Sequence, residues 1–175
     1  MPKKTLSPRT RESYCGRSTP CEIYRAGGDV QAIVHSHSPS ITPFTVSSLR
    51  LKPFFHMGGF LKDVRRFEIR AASGRMTDML VRAPELGVYL AHSLGSSCIS
   101  LICGHGSVAD GRSLRGAVYR AVYAEINARI QTASIGLGGQ ITYLSDEEAV
   151  LATESTVPQY DRAWELWLKA VASGD

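Results

Sequence analysis

The sequence predicts one α/β domain, and three observations carry that reading. Two compact apolar runs rich in β-branched residues, 30–35 and 98–103, read as buried strands. The stretch after Ser113 repeats apolar residues at three- and four-residue spacing, the pattern of a helix laid against a core. Glycine clusters separate these segments, and residues 22–172 contain neither an internal repeat nor a linker.

Taken in order, residues 1–20 carry no periodic pattern and read as a basic, irregular tail, so the domain proper is expected over 21–172. Residues 22–26 read as the end of a helix stopped by Gly27-Gly28-Asp29. The first strand follows, closed by His-Ser-His-Ser-Pro at 35–39. Residues 40–63, rich in aromatics, Pro and Gly, are expected to be irregular, and a segment that long inside a compact domain is often functional. Alternation over 66–70 suits an exposed strand. Thr77-Asp78 opens a helix-like stretch running to Leu94, with Pro84 near a break and Gly95 as its stop. The second buried strand ends at Gly104-His105-Gly106.

Ser113 is a good N-cap for the long helix, whose apolar positions are Leu114, Ala117, Val118, Ala121, Val122, Ile126 and Ile130, and which is expected to end near Ile135. Gly136, Gly138 and Gly139 follow a helix instead of opening one after a strand, so they read as a stop and not as a phosphate loop. Residues 140–144 suit a short strand. Ser145-Asp146-Glu147-Glu148 caps another helix, and 159–172 forms the last one, with Trp164 and Trp167 on a packing face.

Composition narrows the function classes. The chain has 175 residues, 43% of them hydrophobic, and no apolar run long enough to span a bilayer. Residues 1–20 hold five cations against Glu12, which equals the whole formal net charge of +4, so the body is formally neutral. A nucleic-acid-binding face on the body is therefore not expected, because phosphate neutralisation needs clustered cations. Cys15, Cys21, Cys98 and Cys103 form no CxxC pair and read as reduced thiols of a cytoplasmic protein.

Histidine carries the chemistry. His35 and His37 sit two apart at a strand end, where extended backbone projects both rings to one side. His105 lies between two glycines where another strand stops. Three neutral imidazoles suit Zn²⁺ and related divalent ions, and three ligands with an open position make a catalytic arrangement. His56, in the long irregular segment, is a candidate substrate contact, whereas His92 fits a helix surface or core. No Gly-x-Ser-x-Gly elbow accompanies Ser97, Ser100 or Ser107, so a serine nucleophile is not expected.

In combination, Glu-Ile-Tyr-Arg-Ala at 22–26, Val-His-Ser-His-Ser-Pro at 34–39, Phe-Phe-His-Met-Gly-Gly-Phe-Leu at 54–61, Thr-Asp-Met-Leu-Val-Arg at 77–82, Gly-His-Gly-Ser-Val at 104–108 and Ile-Thr-Tyr-Leu-Ser at 141–145 resemble the class II aldolase/adducin head-domain family. The resemblance implies a three-layer α/β/α domain with a central, mainly antiparallel sheet. It implies a divalent metal, zinc first and manganese or cobalt as alternatives, on His35, His37 and His105. The implied activity is C–C cleavage by retro-aldol chemistry or decarboxylation of a small carbonyl- or carboxylate-bearing substrate, with the decarboxylase branch favoured, in a homotetramer. Two departures stand out. The family carries a longer segment ahead of this region, so the N-terminal part of the fold is expected to be missing. The position of the family's acid/base glutamate is Gly16, which leaves a non-catalytic, adducin-like assembly role as the alternative.

Overall fold

A computed structural model describes residues 20–174; the tail expected at 1–20, with Cys15 and Gly16, lies outside them but for Pro20. The element order is α1 (Pro20–Ala26), β1 (Ala32–Ser36), α2 (Thr42–Val46), a 3-10 helix (His56–Lys62), β2 (Arg65–Phe67), α3 (Ile69–Ser73), α4 (Pro84–Leu94), β3 (Ile99–Ile102), β4 (Gly106–Gly111), α5 (Leu114–Leu137), α6 (Asp146–Thr156), a 3-10 turn (Val157–Gln159) and α7 (Tyr160–Ser173). None of these helices is long and apolar enough to cross a membrane.

The four strands form one sheet in the order β1-β4-β3-β2. Pairs β1/β4 and β3/β4 are antiparallel, and β2/β3 is parallel. Alternation along β3 separates two cores. Ile99 and Leu101 join Phe44, Leu51, Phe60, Leu61 and the α5 residues Tyr119, Ala124 and Ala128 on one face. Ile102, with Val108 and Phe67, joins Ile23 of α1 and Leu90, Ala91 and Leu94 of α4 on the other. This is the expected α/β/α layering with a mainly antiparallel sheet.

Several local expectations change. The alternating run 66–70 is a strand only to Phe67. Glu68 then accepts a hydrogen bond from the Arg70 N–H and caps α3, burying Ile69 completely. The stretch 77–83 is not helical, because Met79 takes a left-handed backbone (φ 63°), and α4 begins only at Pro84, whose fixed φ suits a first turn. Residues 140–144 form no ladder; the Leu144 N–H donates instead to the Pro53 carbonyl (3.1 Å). The segment 40–63 is irregular only between and around α2 and the 3-10 helix, and β4 is a strand that the hydrophobic pattern does not announce.

The stripe on α5 also differs from its apolar pattern. Leu114 is exposed, whereas Asn127 and Gln131 are buried. Their amides serve an extended segment in place of a neighbouring strand. Asn127 accepts from the Phe54 N–H (2.9 Å) and donates to the Lys52 carbonyl (2.8 Å); Gln131 accepts from the Lys52 N–H (3.1 Å) and donates to the Arg50 carbonyl (2.8 Å). Gly58 and Gly59 then let the 3-10 helix wedge between α5 and α6. A Cβ on Gly58 would sit 2.5 Å from Asn127 Oδ1, and one on Gly59 2.5 Å from the Ala149 carbonyl.

Candidate metal centre

Two chain reversals meet at one end of the sheet. β1 pairs with β4 in a register that sets His35 opposite Val108 and Ser36 opposite Ser107, and the chain continues to His37. The β3–β4 connection supplies His105, whose N–H donates to the Ile102 carbonyl (3.0 Å). Its glycines have distinct jobs. Gly104 adopts φ 66°, and its N–H donates to Oγ1 of the buried Thr45 (3.1 Å). A Cβ on Gly106 would meet the Ser36 carbonyl at 2.2 Å and His37 Cδ2 at 3.1 Å, so only glycine lets β4 approach the histidine segment this closely.

The three rings converge. His35 Nε2 lies 3.1 Å from His37 Nε2 and 3.2 Å from His105 Nε2, and the ligand atoms of all three fall within 4.8 Å of one another. His35 and His37 are exposed and His105 is half-buried, so the group faces solvent on one side. The opposite ring nitrogens settle the tautomers. His35 Nδ1 lies 3.1 Å from the Ser107 carbonyl and His105 Nδ1 lies 2.6 Å from the Met79 carbonyl. A carbonyl can only accept, so both Nδ1 atoms carry a proton, and in the neutral rings both Nε2 atoms present lone pairs.

Two imidazole lone pairs facing each other at 3.2 Å repel unless a cation lies between them. Nitrogens bound tetrahedrally to zinc at 2.0–2.1 Å stand about 3.3 Å apart, close to the separation of His35 Nε2 from each of the other two. The donor set therefore fits a divalent ion, with Nδ1–H held by a carbonyl as in metal-binding histidines generally. Partial burial, then the neighbouring His105 and His37 rings, lower the His35 pKa, and the Ser107 carbonyl opposes that shift only in part. The neutral ring is the ligand form.

His56 stands apart from this group. It opens the 3-10 helix, meets Phe55 edge-on (5.8 Å between centroids), and lines a cavity of about 630 Å³ with Tyr123, Gln159, Arg162 and Lys169 among others. His92 is exposed on α4. Trp167 packs against the first core beside Tyr123. Sequence reasoning singled out the three convergent rings but missed the groups behind them: Thr45, the Ser107 carbonyl, and the Met79 carbonyl on its left-handed turn. Thr77-Asp78 ahead of Met79 was the available signal, since such side chains bond backbone N–H groups two residues on.

Residues 19–132 match the model of the family described as Class II Aldolase and Adducin N-terminal domain. The decarboxylase tropJ of Talaromyces stipitatus is 32% identical over 190 residues, covering 97% of this chain and 71% of that protein. A 3,4-dihydroxyphthalate decarboxylase of Arthrobacter keyseri is 25% identical over 127 residues, covering 73% of this chain and 50% of that enzyme, so the match spans half the length of this relative. An aldolase II superfamily protein from Pseudomonas syringae, whose crystal structure is known, superposes with a TM-score of 0.70 over 89% of this chain and 62% of its own; at 18% identity that likeness speaks for the fold alone. Through the family match and the tropJ relationship, this chain belongs to the class II aldolase and adducin N-terminal domain family.

Proposed function

We propose that the chain is a metal-dependent C–C lyase of the decarboxylase type, acting on a small carbonyl- or carboxylate-bearing substrate. The observation that carries the reading is the pair of carbonyl-anchored imidazoles, His35 and His105, whose Nε2 lone pairs converge with the His37 ring at 3.1–3.2 Å from His35 Nε2. His35, His37 and His105 would hold the ion, zinc first because it accepts three imidazoles with an open position, with manganese or cobalt as alternatives. A divalent ion in such a site supplies positive charge to an oxygen that turns anionic as a C–C bond breaks.

The chain's own contribution is preorganisation. The Ser107 and Met79 carbonyls hold the Nδ1 protons, which in the neutral rings places the lone pair on Nε2 and aims it. The exposed side of the cluster leaves room for a substrate to approach. His56 stays in the proposal as a substrate contact by resemblance; its cavity, with Arg162, Lys169 and Glu165, is lined by none of the three histidines. Assembly as a cytoplasmic homotetramer belongs to the same proposal. The decarboxylase names of two relatives favour this branch over sugar-phosphate cleavage.

One residue favours a second reading, an adducin-like assembly role without catalysis. Gly16 stands where the resemblance implies the acid/base glutamate, and losing a general acid/base costs about 10²–10⁴-fold in rate. The test measures bound zinc, manganese and cobalt in the purified protein and in the His35→Ala/His37→Ala double variant, then CO₂ release from 3,4-dihydroxyphthalate and related aromatic acids. Metal in the wild type alone, with CO₂ release, supports the lyase. Equal metal in both proteins refutes it. Metal without CO₂ release, even after Gly16→Glu, favours assembly.

A further inference from the structure

The third ring, His105, is not held by the sheet. Its Nδ1–H donates at 2.6 Å to the carbonyl of Met79, which lies 26 positions earlier in a non-helical turn. Met79 has φ 63°, the only positive φ outside glycine among the described residues. Unbranched L-residues reach that region at a cost and hold it only where surrounding bonds enforce it. Those bonds are present. Thr77 Oγ1 accepts from the Met79 N–H (3.0 Å), Asp78 Oδ1 accepts from the Leu80 N–H (3.1 Å), and Asp78 Oδ2 accepts from Arg82 Nε (3.0 Å). The Leu80 amide first, and Arg82 after it, hold the Asp78 carboxyl below its ordinary pKa, so it stays an acceptor. The Met79 side chain packs against the second core, and its Cε lies 3.2 Å from where a Cβ on Gly104 would be. One residue thus lies beside the His105 turn through its side chain and holds the His105 ring through its carbonyl.

We propose that Met79 is a positioning residue for the metal centre, with Thr77 and Asp78 as the clamp that keeps its carbonyl turned toward His105. The inference rests on the metal reading above and extends it to the strap over residues 77–82. In an ordinary right-handed or extended conformation the Met79 carbonyl would point elsewhere. His105 would then lose the partner that fixes its tautomer, and its Nε2 would no longer be committed to an ion.

The test uses the full chain and compares wild type, Met79→Val, Met79→Gly and Thr77→Val. Zinc affinity is measured by chelator competition, and the visible spectrum is recorded after cobalt(II) is added. A β-branched residue resists a positive φ, so Met79→Val is expected to weaken zinc binding about tenfold or more and to change the cobalt bands, as loss of an outer-shell partner does. Glycine adopts that φ freely and keeps the carbonyl. Met79→Gly is therefore expected to retain the wild-type cobalt spectrum and affinity despite losing the side-chain packing. Thr77→Val removes only the Thr77 half of the clamp and is expected to fall between the two. Circular dichroism separates misfolding from mispositioning, and Met79→Gly, the variant with the largest packing loss, guards against that confusion. Zinc affinities equal to wild type in both Met79→Val and Thr77→Val overturn the proposal while leaving the three-histidine site standing. A wild type that binds no more zinc than His35→Ala/His37→Ala overturns both.

Discussion

Replacing Asn127 by leucine tests the reading that a side-chain amide does a strand's work. Asn127 is fully buried, and its amide closes two bonds to the backbone of the 50–54 segment, at 2.9 Å and 2.8 Å. Leucine keeps the branched outline but is bulkier, so some overpacking adds to the main loss, that of the Phe54 N–H and Lys52 carbonyl left without partners. An orphaned buried polar group costs about 1–3 kcal/mol, and water can recover part of that at this half-buried segment, which gives about 2–4 kcal/mol for the pair. Urea unfolding followed by circular dichroism reads the change directly. With a slope of about 2 kcal/mol/M, the midpoint should fall by about 1–2 M at unchanged slope. Gln131→Leu should behave alike, and the double variant should lose less than the sum, because both amides serve one segment. A loss below about 0.5 kcal/mol for Asn127→Leu would refute the argument and mean that the 50–54 backbone is solvated.

Further expectations concern the site and its supports. Gly106→Ala forces a Cβ to within 2.2 Å of the Ser36 carbonyl, so it should cost about 1–3 kcal/mol by overpacking and release bound metal, seen by calorimetry and metal analysis. Ser145→Ala removes half of the capping box at α6 and should cost about 1 kcal/mol in the same urea assay. Burial pushes the Cys98 thiol up to about 11, so native protein at pH 8 should resist alkylation at Cys98 while unfolded protein reacts, as peptide mass spectrometry would show. Arg70 holds the Glu68 carboxyl down to about 2, against 4.5 in the unfolded chain. A carboxyl lowered on folding adds stability that is complete above its unfolded pKa and is lost as the pH falls through the folded one. The gap in urea midpoint between wild type and Glu68→Gln should therefore be small, since the pair is exposed, and should close between about pH 4.5 and 2.

What the sequence determined by itself was whatever short-range periodicity and chain reversal can encode. The two apolar runs became β1 and β3, the Ser113 and Ser145 caps opened α5 and α6, and the His-x-His at a strand end put two rings on one side. Composition could not show β4, because Gly-Ser-Val-Ala-Asp-Gly has little apolar character; pairing on both sides makes it a strand and buries it. Nor could periodicity find the buried face of α5, where Asn127 and Gln131 go inside because a backbone segment remote in sequence supplies their partners. The candidate metal centre divides the same way. Ring identities are local, but the meeting of His105 with His35 depends on β1 pairing with β4, and the tautomers depend on carbonyls of Ser107 and Met79 delivered by distant turns. Hydrogen bonds and steric fit between segments far apart in the chain leave no periodic trace, so only the tertiary structure could decide them.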